Sequence, residues 1–151
     1  MSGIPAAAVD AIYRYPVKGL SPEALPRVAL SPGKTLPADR SYAIENGPTG
    51  FDPGNPQYFP KTRFLMLMRD ERLAALHSHY EDGSRILTIK ANGEEVIRAD
   101  LGTADGRAAI ERYFAINFAQ ELKGPPKVLV GHGHSFSDVA NKVVSIINIA
   151  S

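Results

Sequence analysis

Arg85-Ile-Leu-Thr-Ile-Lys-Ala-Asn-Gly-Glu-Glu-Val-Ile-Arg-Ala-Asp-Leu101 sets two strand-like runs on either side of Asn92-Gly93. An Asn-Gly pair favours a type I′ turn, whose two central residues both take positive φ, so the stretch predicts a β-hairpin. Just downstream, Asp105 offers an N-cap, and Ile110, Phe114, Phe118 and Leu122 recur every four residues until Gly124-Pro125-Pro126 stops the pattern. That spacing predicts one amphipathic helix over 105–123. Lys127 to Val130 then resumes extended structure.

Upstream, Val9, Ala11, Tyr13, Tyr15 and Val17 alternate with Asp10, Ile12 and Arg14, the period-two pattern of a first strand over 9–17. A second short strand over 23–30 belongs at a sheet edge or bulge, because Pro26 cannot donate to a ladder. Arg40 to Glu45 reads as a third strand. Asn46 to Pro60, with Pro48, Pro53, Pro56 and Pro60, is a loop long enough to suggest a functional role. The apolar run Phe64 to Met68 is expected to be a core strand leading into a short helix over 70–77. Gly131 to Asp138 is a polar loop, and Lys142 to Ala150 is again strand-like.

The bulk numbers narrow the function classes. A chain of 151 residues with 44% hydrophobic and 22% charged residues has the composition of one globular domain. Seventeen Lys and Arg against sixteen Asp and Glu leave a net charge of +1, which provides no bulk drive toward nucleic acid or an acidic membrane. Any anion site must therefore be local. With zero cysteines, these residues can form no disulfide, iron–sulfur cluster, thiolate metal site or cysteine nucleophile. No apolar stretch approaches the ~20 residues needed to span a bilayer, and the first residues lack a basic n-region. Together these features point to a reducing cytoplasm.

Several positions could carry chemistry. Tyr13-Arg-Tyr-Pro-Val-Lys-Gly-Leu20 ends a strand with an ammonium group next to a glycine, a combination suited to an anion, although a surface lysine before a turn gives the same letters. Pro37-Ala-Asp-Arg40 places a guanidinium at the start of the third strand, where it can grip a phosphate or pair with Asp39. His132-Gly-His134 with Asp138 nearby has zinc-ligand character, and His77-Ser-His79 repeats the spacing. A glycine-rich turn with solvated histidines explains the same residues. Ser135 and Ser137 lack a nucleophile-elbow signature, and no G-x-x-x-x-G-K phosphate loop is present.

Tyr-Pro-Val-Lys-Gly at 15–19, Asp-Arg-Ser-Tyr at 39–42 and Val-Ser-Ile-Ile-Asn-Ile-Ala-Ser at 144–151 form an ordered set. In that set the chain resembles the MOSC family, named for the C-terminal domain of molybdenum cofactor sulfurase, which includes the mitochondrial amidoxime-reducing component. The match is to the family's N-terminal β-barrel domain, over 1–138. Residues 139–151 resemble the start of the MOSC domain proper, so the resemblance implies a polypeptide that continues beyond Ser151. It implies an α+β fold: a mostly antiparallel β-barrel or bent sheet with one main helix.

For function, the resemblance implies a part in a molybdenum-cofactor protein. Lys18, Gly19 and Arg40 would hold the phosphate of the molybdopterin, and a missing C-terminal domain would complete the redox chemistry, as in reduction of N-hydroxylated compounds, or else sulfur transfer. The family commonly has serine where this chain has Gly19, leaving only the backbone N–H there. Asn141 stands near a further family contact, and the family's glutamine-bearing stretch is poorly matched by Phe59-Pro-Lys-Thr-Arg63. The family's molybdenum-ligating cysteine has no counterpart here, so the isolated chain is expected to be inactive and to lack the cofactor. A redox partner protein and a homodimer formed through an exposed C-terminal strand are further expectations. The competing class is a non-catalytic anion-binding or protein-interaction β-domain that uses the 46–60 loop as its contact surface.

Overall fold

The structure is a computed structural model that describes residues 6–66, 70–137 and 139–148. Its elements in chain order are β1 (Ile12–Arg14), β2 (Glu23–Leu25), β3 (Tyr42–Asn46), 3-10 helices at Lys61–Arg63 and Glu71–Ala75, β4 (Leu76–Glu81), β5 (Ile86–Ala91), β6 (Glu94–Asp100), α1 (Ala104–Asn117) and β7 (Pro126–Val130). Every ladder is antiparallel: β1 with β2, β3 with β7, and β4–β5–β6 as a three-stranded sheet. The fold is α+β with one main helix, as expected, and among the described residues the sheets do not close into a barrel.

The β5–β6 hairpin forms where the Asn-Gly pair places it. Asn92 and Gly93 take φ values of 53° and 80°, as a type I′ turn requires, and the pairing shifts register between Ile89 and Lys90. The first strand is much shorter than expected. Tyr15 donates its N–H to the Asp39 carboxylate instead of a ladder (2.8 Å), and Pro16 has no N–H to give. The chain therefore leaves β2 at this point and runs beside the start of β3, with an isolated parallel bridge between Val17 and Tyr42. The second strand stops at Leu25, just before Pro26.

Two expectations are corrected in the middle of the chain. The helix over 70–77 is instead one 3-10 helix, Glu71–Ala75, followed directly by β4, in which Leu76, Ser78 and Tyr80 are buried and His77, His79 and Glu81 are exposed. That alternation has the period of a strand, and pairing with β5 selects it over the helix template. The strand over 64–68 reduces to a single bridge from Phe64 to Glu45. Leu65 and Met66 are core as expected, while Leu67 and Met68 lie outside the described residues.

α1 is capped by Thr103 rather than Asp105: the Thr103 hydroxyl accepts from the Gly106 N–H at 3.0 Å, and Asp105 sits in the first turn. The helix also ends earlier than position 123. Arg72 donates to the Asn117 carbonyl (3.0 Å), and the Asn46 side chain bonds the Glu121 carbonyl (3.0 Å) and the Lys123 N–H (2.6 Å), so side chains from elsewhere hold the backbone groups of this turn.

β3 lies at the centre, buried along its whole length. Tyr42 and Ile44 face the main core with Leu65, Leu87, Ile89, Ile110, Phe114 and Val128, whereas Ala43 faces a second cluster with Phe64, Leu129 and Phe136. Any group at the start of β3 is thus mounted on a fully buried strand. At the other end of the chain, residues 139–148 are exposed. The expected strand over 142–150 is not formed at 142–148, and 149 and 150 lie outside the described residues.

Candidate functional site

The two motif segments lie side by side. Arg40 N–H donates to the Tyr15 carbonyl (2.5 Å), Tyr42 N–H to the Pro16 carbonyl (3.2 Å), and Lys18 N–H to the Tyr42 carbonyl (2.9 Å). This parallel pairing brings Tyr15–Gly19 alongside Arg40–Tyr42, so Lys18, Gly19 and Arg40 belong to one structural unit although 21 positions separate Gly19 from Arg40.

Arg40 has a left-handed backbone, with φ of 50°. Its Nη1 donates to Asp39 Oδ2 at 2.8 Å, and its guanidinium lies 4.8 Å from the centre of the Tyr15 ring. Asp39 is itself buried and uses its other oxygen to accept the Tyr15 N–H. Pairing with Asp39, one of the two roles open to Arg40 in the sequence, is therefore formed, and it orients the guanidinium. Its remaining N–H groups have no hydrogen-bond partner among the described residues. The loop that follows β7 completes the support: Ser135 Oγ donates to the Asp39 carbonyl (3.0 Å), Phe136 N–H to the Arg40 carbonyl (2.8 Å), and Gly131 N–H to the Ser41 carbonyl (2.8 Å).

Lys18 is not the surface lysine that a strand tip suggests. It is only 3% exposed, and its ammonium lies 5.9 Å from the centre of the Phe64 ring. A lysine drawn out of water and held by its surroundings has a fixed position rather than a mobile one. Gly19 is conformationally required. Its φ is +85°, and a Cβ added there would come 2.2 Å from the Leu65 carbonyl oxygen. The serine hydroxyl expected from the resemblance has no room, and Gly19 offers instead an N–H with no partner among the described residues. Gly19→Ser is expected to destabilise the fold by about 2–4 kcal/mol in urea unfolding; an unchanged midpoint would show that the segment yields freely.

The histidines do not converge. His77 and His79 project from the exposed face of β4, and His132 is exposed. His134 packs against Phe51 and Phe136 at ring distances of 5.9 and 5.0 Å, and burial, reinforced by Lys142, lowers its pKa below the usual 6.5. Among the described residues no three His, Asp or Glu side chains come together in a way that could hold a metal ion; Asp138 lies outside them. His134 is thus part of the aromatic packing under the 46–60 loop, which Phe51 also joins.

Two clefts open on either side of Ser41. One, of about 410 Å³, is walled by Lys34, Thr35, Asp39, His134, Ser135 and Lys142; the other, of about 240 Å³, lies between Tyr42, Tyr80, Arg85 and Arg107. Lys18, Gly19 and Arg40 line neither. Sequence patterning offered Asp39 as a partner of Arg40 but not its bond to the Tyr15 N–H, and it missed Arg14, a buried guanidinium bound to Glu23 and Asp82.

Among the described residues no helix is long and apolar enough to cross a membrane. No curated protein and no solved structure matches the chain. The model of the MOSC N-terminal β-barrel domain matches residues 6–121, covering both motif segments, all the sheets except the β7 strand, and α1. With most of its length matched and the two motif segments paired as one unit, the chain belongs to the MOSC N-terminal β-barrel domain family.

Proposed function

We propose that this chain anchors the phosphate of a molybdenum–pterin cofactor through Lys18, the Gly19 N–H and Arg40. The observation that carries the proposal is the parallel pairing of 15–18 with 40–42, which joins Lys18, Arg40 and a Gly19 N–H unpartnered among the described residues in one unit. The donor set suits a phosphate monoester: Arg40 presents N–H groups uncommitted among the described residues, Gly19 one backbone N–H, and Lys18 an ammonium carried on the same pairing. Asp39 and Tyr15 hold the guanidinium plane, so little rotamer freedom is lost when it binds.

When bound, the cofactor supplies two-electron redox chemistry at molybdenum, as in reduction of N-hydroxylated compounds, or sulfur transfer. This chain contributes orientation. It has no cysteine, so a thiolate ligand for molybdenum would come from outside these 151 residues, and the redox reaction would need an electron-donating partner protein. A cytoplasmic setting suits such chemistry. The test is the molybdenum and pterin content of the full gene product purified from a host that makes the cofactor. Near-stoichiometric metal and pterin are expected; protein that binds phosphate but never carries molybdenum or pterin would instead mark a non-catalytic anion-binding domain.

Self-association through the C-terminal stretch is part of the same proposal. Val143, Val144, Ile146 and Ile147 are exposed and stand in no ladder among the described residues, and a second copy can supply both an apolar cover and ladder partners. Sedimentation should show a dimer that Ile146→Asp plus Ile147→Asp converts to monomer. A wild-type monomer at all concentrations would overturn the idea.

A further inference from the structure

We propose that the cleft between Tyr42, Tyr80, Arg85 and Arg107 is a second anion site, one that takes a small phosphate-type oxyanion. Its volume is about 240 Å³, and none of its lining residues is an aspartate or glutamate. Two arginines thus line one concave surface whose own lining residues include no carboxylate. Such an arrangement concentrates positive potential and attracts a counter-ion.

Two carboxylates lie nearby, each with a partner: Asp82 lies 2.8 Å from the Arg14 guanidinium, and Asp100, at the cleft's edge, accepts the N–H of the lining Gly102 at 2.7 Å. Among the described residues the Arg85 side chain has no hydrogen bond or ion pair, and Arg107 gives one N–H to the Leu101 carbonyl at 2.9 Å and forms no ion pair. Both arginines therefore keep donors for a ligand, and guanidinium geometry suits the several acceptor oxygens of a phosphate.

The floor supplies a neutral donor. The Tyr42 and Tyr80 hydroxyls are hydrogen-bonded to each other at 3.1 Å in buried positions. One hydroxyl proton is used between them, and the other is left to donate outward. Burial, followed by the Tyr42 hydrogen bond, pushes the Tyr80 pKa up, so the Tyr80 hydroxyl keeps its proton. At the rim, Arg85 and His132 take left-handed backbone conformations, with φ of 60° and 36°, which non-glycine residues adopt at a cost and which recur at binding sites.

The site is separate from Lys18, Gly19 and Arg40, none of which lines it. It is tested by titrating the full gene product with inorganic phosphate against chloride at matched ionic strength, following amide and arginine Nε–H resonances by NMR. Saturable shifts at Arg85, Gly102, Arg107 and Gly133 are expected, and Arg85→Gln plus Arg107→Gln should weaken them roughly tenfold or more. Arg85→Gln alone, at an exposed side chain, guards against loss of fold. A parallel titration with ribose 5-phosphate assigns the source: tighter binding of the ester indicates a phosphomonoester, and equal binding indicates free phosphate. Shifts that match chloride, that persist in the arginine variants, or that appear only at Gly19 and Arg40 would overturn this site, the last while leaving the cofactor proposal standing. The Lys18→Met, Arg40→Gln variant should keep the shifts unchanged.

Discussion

Arg14→Ala is expected to lower the unfolding free energy by about 3–5 kcal/mol, a large part of the ~5–15 kcal/mol that holds a typical domain together. Arg14 is buried where β1, β2 and β4 meet. Its Nε and Nη2 each lie 3.1 Å from Glu23 Oε2, its Nη2 donates to the Tyr80 carbonyl at 3.0 Å, and its Nη groups reach Asp82 at 2.8 and 2.9 Å. Burial alone would lower the arginine pKa, but Asp82 and Glu23 more than offset it and the group stays charged. Glu23 is equally buried and also accepts the Tyr80 N–H, with His79 Nδ1 3.4 Å away.

Removing the guanidinium would leave Glu23 as a buried carboxylate without its cation, and that uncompensated charge accounts for most of the loss. Arg14→Met combined with Glu23→Met should therefore recover much of what Arg14→Met alone loses, a coupling that a double-mutant cycle in urea would measure. Asp82→Asn should cost under about 1 kcal/mol, because Asp82 is 56% exposed and water screens its share of the pair. If Arg14→Ala cost less than Asp82→Asn, the network would be ornamental.

The second large effect concerns the cofactor. Lys18→Met plus Arg40→Gln in the full gene product is expected to reduce cofactor affinity on the order of 100-fold or more, since charge-assisted contacts are worth about 1.5–3 kcal/mol each. Methionine keeps the apolar stem of Lys18 against Phe64, so folding should survive, and thermal unfolding checks it. Asp39→Asn should weaken retention less, because it frees Arg40 to turn without removing its charge. A folded double variant that retains its cofactor as wild type does would remove both residues from the phosphate.

Local chemistry made some of this fold legible in the sequence. Asn92-Gly93 places the β5–β6 turn because only a few residue types accept two positive φ angles in succession, and the four-residue spacing of Ile110, Phe114 and Phe118 finds α1 because one face must be apolar. What stayed hidden depends on partners far along the chain. Leu76-His-Ser-His-Tyr-Glu81 becomes a strand through β5, and Tyr15 leaves the first ladder because a carboxylate 24 residues away takes its N–H. The site divides in the same way. The motif residues could be picked out one by one, and the choice of Arg40 between phosphate and Asp39 was visible as a choice. That Lys18 is buried, that Gly19 is sterically obligatory and that Arg14 anchors the strand beneath them follow from packing, which no short window of sequence contains.

The measurement that bears most directly on the central claim is a crystal structure of the full gene product loaded with its cofactor. Phosphate oxygens within about 2.7–3.2 Å of the Gly19 N–H and the Arg40 guanidinium, with the Lys18 ammonium turned toward them, are the expected result. A cofactor whose phosphate is bound elsewhere, with Arg40 still held only by Asp39 and Tyr15, would contradict it.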